Sequence, residues 1–290
     1  MKNIKALLAL FAIIVLPVSC SSDGESSDGR DNSIRQRVVS KITFDSDEWD
    51  EADEYSFRYD SYGRITRVTH KTISDSNAEL CHYERFVYGS NGILTMSDDD
   101  DYSREATLNR DGYISGMYDD GDGVSTLYTF SYDKSGRLIT NEYLQEDPSD
   151  DYYYQLTNTY NWNSGNIVEH EHYKTDSDDD DLAVNIQYSY NSKLMNMVNL
   201  DLNVAIGCFW EEFLYIDLGI CGYWGDGLCG QKSKNLLTSV EIFARDEYSR
   251  YDSRYDINWH YDEDGYPVSA DIIGDDDNDS CRVTIEYDDK

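Results

Sequence analysis

The chain has 290 residues, of which 58 are acidic and 24 are basic, giving a formal net charge of −34. Such a surface repels the phosphates of nucleic acids and of anionic membranes, so nucleic acid is excluded as a partner and membrane attachment cannot depend on charge. Hydrophobic residues form 39 % of the chain and include 26 Tyr, which predicts a folded core rather than global disorder. The chain contains only three prolines and many aromatic and β-branched residues, a composition that favours strands.

The first 19 residues have the layout of a secretory signal peptide. Lys2 and Lys5 precede the apolar run ALLALFAIIVLPVSC, which is too short to span a membrane comfortably. Cys20 directly follows the small residue Ser19, and this arrangement resembles the lipobox of bacterial lipoproteins. The resemblance implies that Cys20 is the lipid attachment site and the first residue of the mature chain. The alternative is an ordinary signal peptide with an incidental cysteine.

Residues 20–36 are polar, acidic and free of aromatic side chains, which predicts a flexible tether. Acidic Ser/Asp tracts at this position resemble the export signals of Bacteroidetes lipoproteins. That resemblance implies an outer-membrane lipoprotein on the cell-surface side, with a plain linker as the alternative. Residues 37–290 are predicted to form a single barrel-like β domain.

Short runs of alternating side chains follow from Val38 onward. In TLYTFSYD, for example, Tyr128, Phe130 and Tyr132 share one face. In YDINWHY, Tyr255 and Ile257 share one face in the same way. A period of two is typical of strands with one buried and one solvated face.

A recurrent phrase separates these runs, as in RYDSYGRITRV, SYDKSGRLIT and HYDEDGYPVS. The Asp can accept backbone N–H bonds, and Gly63, Gly136 and Gly265 stand where a hairpin turn needs positive φ. No copy has the ligand spacing of an EF-hand loop, so the phrase indicates a hairpin turn rather than a calcium loop.

The pattern resembles the tyrosine–aspartate repeats of RHS-type proteins. It is more similar to a family of uncharacterised Bacteroidetes lipoproteins with a porin-like fold, in which similar hairpins precede an N-L-D-x-N segment, an apolar insertion and an S-K-N-L phrase. Here these phrases are NLDLN (Asn199–Asn203) and SKNLLTSVEI (Ser233–Ile242). We therefore expect an all-β antiparallel meander of about sixteen strands, curled into a barrel or half-barrel, with an apolar loop or helix insertion at about 200–235. Outward residues such as Arg58, Asn258 and Glu286 leave no apolar band for lipid.

The apolar insertion is predicted to fill the concave face of the sheet. The alternative is a ligand pocket within it. That pocket would be lined by the aromatic residues Phe209, Trp210, Tyr215, Tyr223 and Trp224.

Two histidines are candidate metal ligands. His170 and His172 would lie on one face of a strand, about 7 Å apart, and a third ligand from a neighbouring strand would complete a site. The alternative is a pair of solvent-facing histidines flanked by Glu169 and Glu171.

Acidic clusters between predicted strands, such as DSDDDD at 176–181, can hold Ca²⁺ weakly or can serve as solvated loops. Among the cysteines, Cys221–Cys229 and Cys81–Cys281 are candidate disulfides.

The sequence predicts a non-enzymatic, lipid-anchored envelope protein that binds a glycan or an envelope protein or has a structural role. The alternative is a carbohydrate-binding module of a polysaccharide-uptake system. A hydrolase would need two carboxylates at a defined separation, and the sequence selects no such pair. No G-x-S-x-G, H-E-x-x-H or P-loop phrase occurs, so no catalytic residue and no cofactor are assigned.

Overall fold

A computed structural model describes residues 37–46, 51–74, 77–98, 103–121, 124–147, 152–176, 182–203, 228–244, 252–275 and 280–289. The strands in these ranges are β1 (Arg37–Ser46), β2 (Glu51–Tyr59), β3 (Ile65–Ser74), β4 (Asn77–Tyr88), β5 (Ile93–Ser97), β6 (Ser103–Leu108), β7 (Ile114–Gly121), β8 (Val124–Tyr132), β9 (Leu138–Asp147), β10 (Tyr152–Asn163), β11 (Asn166–Asp176), β12 (Leu182–Met195), β13 (Asn235–Ala244), β14 (Ser253–Tyr261), β15 (Pro267–Gly274) and β16 (Ser280–Asp289).

The strands form a closed antiparallel barrel. Each strand pairs with its neighbours in sequence, and β1 also pairs with β16. Ile42 on β1 lies opposite Ile285 on one side and Tyr55 on the other. The predicted sixteen-strand meander is confirmed, and of the two predicted forms the closed barrel is the one observed. Closure gives both terminal strands two partners and leaves no open sheet edge between them.

The up-and-down topology sorts the connections to two ends of the barrel. At the turn end, short turns follow β2, β4, β6, β8, β10 and β14, and residues 196–234 join β12 to β13. The other eight connections, which follow β1, β3, β5, β7, β9, β11, β13 and β15, define the acidic end. By sequence, the parts of these connections outside the described ranges contain nineteen Asp and Glu residues and two Arg residues. β1 begins and β16 ends at the turn end. Arg37, where β1 begins, and Asp289, where β16 ends, therefore lie at the end of the barrel opposite the acidic connections.

Asp60 organises the β2–β3 turn as the sequence predicts. Its Oδ1 accepts the backbone N–H groups of Tyr62 and Arg64 at 2.8 and 3.0 Å. Gly63 has a φ of 85°, a conformation that disfavours any side chain with a Cβ. Equivalent Asp or Asn contacts organise the turns at Asn109, Asp133 and Asp262. The interpretation of these phrases as hairpin turns is confirmed.

The barrel interior is a packed core. Sixteen-strand barrels of the porin type leave an aqueous channel. Here Leu156, Val240 and Ala270 have no exposed surface, which side chains lining a water-filled channel could not have. The two described ends of the insertion add Leu200 and Leu228 to this core, at 1 % and 8 % exposure. These two ends therefore pack into the core. The predicted filling of the sheet by the rest of the insertion, residues 204–227, lies outside the described residues and stays a prediction.

A strap at residues 228–234 crosses the turn end. The Gln231 N–H donates to the Gly136 carbonyl at 2.9 Å, and the Lys234 N–H donates to the Gly165 carbonyl at the same distance. Because both glycines have positive φ, each hairpin turns a carbonyl toward the strap. The strap thus joins two successive hairpins.

Asp201 fixes the other end of the insertion. Its carboxylate accepts bonds from the Asn196 Nδ2, the Asn203 N–H and the Ser233 N–H, at 2.8, 3.1 and 3.2 Å. Complete burial raises the pKa of Asp201, although all three partners donate to the carboxylate. The phrases NLDLN and SKNL meet here, so the residues that carry the family resemblance hold the insertion in place.

Two cysteines have defined states. Cys229, in the strap, is disulfide-bonded, and Cys281 is a buried thiol on β16. The predicted pairing of Cys81 with Cys281 is therefore wrong. Cys221, the predicted partner of Cys229, lies outside the described residues.

The outer wall carries charged pairs. The Lys41 Nζ lies 3.2 Å from the Glu54 carboxylate and 3.1 Å from the Glu286 carboxylate, and the His260 Nε2 donates to Asp271 at 2.7 Å. Hydrocarbon against this wall would strip water from these charges at a high free-energy cost. No helix in the described part of the chain is long and apolar enough to cross a bilayer.

Candidate functional site

The two candidate metal ligands lie inside the barrel. His170 and His172 are 1 % and 2 % exposed, so the alternative of two solvent-facing histidines is wrong. The His170 Nε2 and the His172 Nδ1 both contact the Asn158 Oδ1, at 2.7 and 2.9 Å, and their ring centroids are 6.4 Å apart. Tyr160 stacks on His170 at 4.7 Å.

Burial sets the protonation state of this pair. Desolvation lowers the pKa of His170 to about 3 and that of His172 to about 4, so both rings are neutral at pH 7. Within the described ranges, no three or more His, Cys, Asp or Glu side chains are arranged to hold a metal ion. The metal site stays a prediction. What the geometry shows is a polar cluster within the core, in which one amide oxygen accepts a bond from each ring.

A second set of inward side chains remains accessible at the acidic end, and we call it the mouth. Its members point into the barrel near the acidic connections, and most are only half-buried, in contrast to the core beneath them. One arc of the mouth lies on β1 to β6 and comprises Phe44, Asp53, Tyr55, His70, Thr72, Glu84 and Arg104. The other lies on β8 to β11 and comprises Tyr128, Tyr143, Gln145, Tyr154 and Lys174.

Asp53 is the polar centre of the first arc. Its Oδ1 accepts bonds from the His70 Nε2 at 2.7 Å and the Thr72 Oγ1 at 3.0 Å. The His70 bond is the main cause that lowers the pKa of Asp53, with a smaller contribution from Thr72. The Asp53 side chain is 47 % exposed, so it can also accept bonds from a ligand.

Aromatic rings support this trio. Tyr55 stacks on His70 with ring centroids 4.4 Å apart and nearly parallel planes. Phe44 packs edge-on against Tyr55 at 5.8 Å. The stack restricts the rotation of the imidazole that binds Asp53, which preorganises the carboxylate.

An ion pair closes the first arc. The Arg104 guanidinium donates to the Glu84 carboxylate at 3.2 Å, and Glu84 is only 9 % exposed. A carboxylate at this depth has a large desolvation cost, which the Arg104 guanidinium offsets.

The second arc is an aromatic row. Tyr143 lies edge-on to both Tyr128 and Tyr154, with centroids 4.8 and 5.7 Å away. The Tyr143 hydroxyl donates to the Gln145 Oε1 at 2.9 Å, and the Lys174 Nζ lies 5.4 Å from the Tyr154 centroid. The row combines ring faces with hydrogen-bonding tips, which suits a ligand with both apolar and hydroxyl groups.

The sequence analysis did not predict the mouth, although two features of the sequence indicate it. In EADEYSFRY, Asp53 falls on the same face as Tyr55 and Phe57, and in EHEHYK, Lys174 falls on the face of the two histidines. A charged residue on an apolar face indicates a buried pair or a binding site. The predicted lipid site and the five aromatic residues assigned to a pocket at 209–224 lie outside the described residues.

A protein family described as a domain of unknown function (DUF4595) with porin-like fold matches residues 57–269. Two of the solved structures with similar folds are porin-like proteins. A porin-like protein from Bacteroides vulgatus ATCC 8482 is 13 % identical, with a TM-score of 0.61 over 87 % of this chain and 99 % of its own. A porin-like protein from Bacteroides uniformis ATCC 8492 is 15 % identical, with a TM-score of 0.61 over 86 % and 96 % of the two chains. No curated protein matches.

Proposed function

Because the chain belongs to the family of domains of unknown function with porin-like fold, we propose that it is a lipid-anchored, surface-exposed envelope protein that binds a ligand at its mouth without catalysing a reaction. The observation that carries the binding role is the contrast between the packed core and the mouth. Inward residues below the mouth are shielded, whereas Asp53, Tyr143 and Tyr154 remain accessible beside ordered hydrogen-bond partners.

The lipid anchor is supported by the position of Cys20 and by the charged outer wall. With charged pairs such as Lys41–Glu286 facing outward, the wall is suited to water, so retention at a membrane needs a separate anchor. Cys20→Ala should move the protein from the membrane fraction to the soluble fraction, while Ser21→Ala should not. Membrane retention of the Cys20→Ala protein at the wild-type level would refute the anchor.

Carbohydrate is the ligand class that the mouth favours. Sugar rings present apolar faces that stack on aromatic side chains and hydroxyl groups that donate to carboxylates. The row around Tyr143 and the trio around Asp53 supply these two kinds of contact. An acidic barrel also excludes strongly anionic ligands by repulsion.

A glycan array probed with the mature chain tests this assignment. We expect binding that is lost in Tyr143→Ala and weakened several-fold in Asp53→Asn. The matched control is Asp271→Asn, because Asp271 makes a bond of the same 2.7 Å length to His260 on the outer wall. An array without hits, or equal losses in Asp53→Asn and Asp271→Asn, would rule out carbohydrate binding at the mouth.

A further inference from the structure

The carboxylate of Asp53 in the mouth uses only one of its two oxygens. The His70 Nε2 and the Thr72 Oγ1 both donate to Oδ1, at 2.7 and 3.0 Å. Among the described residues, no hydrogen-bond donor contacts Oδ2. The side chain is 47 % exposed, which leaves room for a group from a ligand. Because a carboxylate oxygen accepts hydrogen bonds and cannot donate them, the complementary group on the ligand is a donor.

Asp53 carries a negative charge without an opposite charge that its arc must supply. The hydrogen bond from His70 is the largest influence on the pKa of Asp53 and lowers it, and the bond from Thr72 lowers it further. His70 donates through Nε2 as a neutral ring as well as a protonated one, so this bond needs no positive imidazole. The Glu84 carboxylate of the same arc is already paired with the Arg104 guanidinium at 3.2 Å.

The aromatic rings of this arc are continuous with the carboxylate. Tyr55 lies two residues beyond Asp53 on the same face of β2, and its ring stacks on the His70 imidazole that binds Asp53. Phe44 packs edge-on against Tyr55. Carboxylates and aromatic rings both attract an ammonium group. A cationic donor therefore gains more from this surface than a neutral hydroxyl does.

The charge of the acidic end adds to this preference. Its connections contain nineteen acidic residues and two arginines outside the described ranges, and their three described residues are Asp98, Asp252 and Asp275. The second arc of the mouth contributes one cation, Lys174, beside the Tyr154 ring. A strongly negative opening raises the local concentration of cations and lowers that of anions.

We propose that Asp53 binds the protonated amine of an amino sugar, so that the mouth prefers glycans with free amino groups over neutral glycans of the same shape. The inference rests on the proposed carbohydrate-binding function and names the substrate class within it. The amine donates to Oδ2 while His70 and Thr72 hold Oδ1 in place. A half-exposed ion pair of this kind should strengthen binding roughly tenfold relative to a neutral donor.

Isothermal titration calorimetry of the mature chain with three tetrasaccharides of the same β-linkage tests the proposal. The tetramers of glucosamine, N-acetylglucosamine and glucose present an ammonium, an acetamide and a hydroxyl group at the same position of each ring, at a pH at which the amine is charged. We expect the glucosamine tetramer to have a Kd roughly tenfold below that of the glucose tetramer. Asp53→Asn should bring this ratio close to one. The matched control is Asp271→Asn, which removes a carboxylate with an equally short bond to a histidine on the outer wall and should keep the ratio.

The outcomes separate this inference from the function on which it rests. Equal affinities for the glucosamine and glucose tetramers overturn the amine site and leave carbohydrate binding intact. If none of the three tetramers binds, the amine site is overturned, and the glycan array decides separately whether the mouth binds other carbohydrates. A preference that persists in Asp53→Asn overturns the assignment to Asp53, because the net charge of the chain is then its source. Tetralysine that binds as tightly as the glucosamine tetramer would show that charge alone is recognised and would overturn the amino sugar as the ligand.

Discussion

Acid should destabilise the barrel through its two buried histidines. The unfolded-state pKa of each is about 6.5, and burial lowers the folded-state pKa of His170 to about 3 and of His172 to about 4. Between these values the unfolded chain binds more protons than the folded chain, so the free energy of unfolding falls as the pH falls. Lowering the pH from about 7.5 to 5.5 should reduce it by about 1.4 kcal/mol per histidine, or close to 3 kcal/mol for the pair.

Matched substitutions isolate this effect. His170 contacts Asn158 through Nε2 and His172 does so through Nδ1, positions that the amide nitrogens of Gln and Asn reproduce. We expect His170→Gln/His172→Asn to keep both hydrogen bonds and to lose most of the decline between pH 7.5 and 5.5. Unfolding in guanidinium chloride, monitored by tryptophan fluorescence at each pH, measures the free energy of unfolding of both proteins.

The control is His260→Asn, which removes an outer-wall histidine and leaves the buried pair in place. This variant should decline with pH as the wild type does. A wild-type unfolding free energy that is level over this range, or a double variant that declines as steeply as the wild type, would refute the reasoning.

Three further predictions concern the turn end, and each is measured by chemical denaturation. Gly136→Ala should lower the free energy of unfolding clearly more than Gly112→Ala. Positive φ strains an alanine at either position by about 1–2 kcal/mol, but only at Gly136 would the new Cβ lie 2.8 Å from the Tyr113 ring. Equal losses in the two variants would show that the Tyr113 ring moves aside without cost. Asp60→Ala should cost about 1 kcal/mol, because it removes the oxygen that accepts the two turn N–H groups. Asp60→Asn should cost much less, because Asn keeps that oxygen. Equal losses in the two variants would contradict this role of Asp60. Asp201→Asn should cost about 1–3 kcal/mol, because its amide N–H₂ would face the donor of Asn196 or of Ser233. An unchanged unfolding midpoint would contradict the assigned hydrogen bonds.

Local sequence patterns predicted the strands and turns because the signals act within a few residues. Tyr255 and Ile257 alternate with exposed neighbours, and Gly63 adopts the predicted positive φ. Closure of the barrel depends on pairing between β1 and β16, which are separated by nearly the whole chain, so local patterns could not choose between a barrel and a half-barrel.

The burial of the histidine pair could not be predicted for a related reason. His170 and His172 stand between Glu169 and Glu171, and the run is polar by composition. Only the register with β10, which sets His172 opposite Asn158, shows that the histidines face inward. The mouth could not be predicted for the same reason, because its side chains come from different strands and the sequence does not give the register between those strands.

The most direct test of the account is the intact mass of the protein extracted from the membrane fraction. A lipid-anchored envelope protein should begin at Cys20 and carry the added mass of a lipid-modified N-terminal cysteine. A chain that begins at another residue, or one that begins at Cys20 without added lipid mass, would contradict the account.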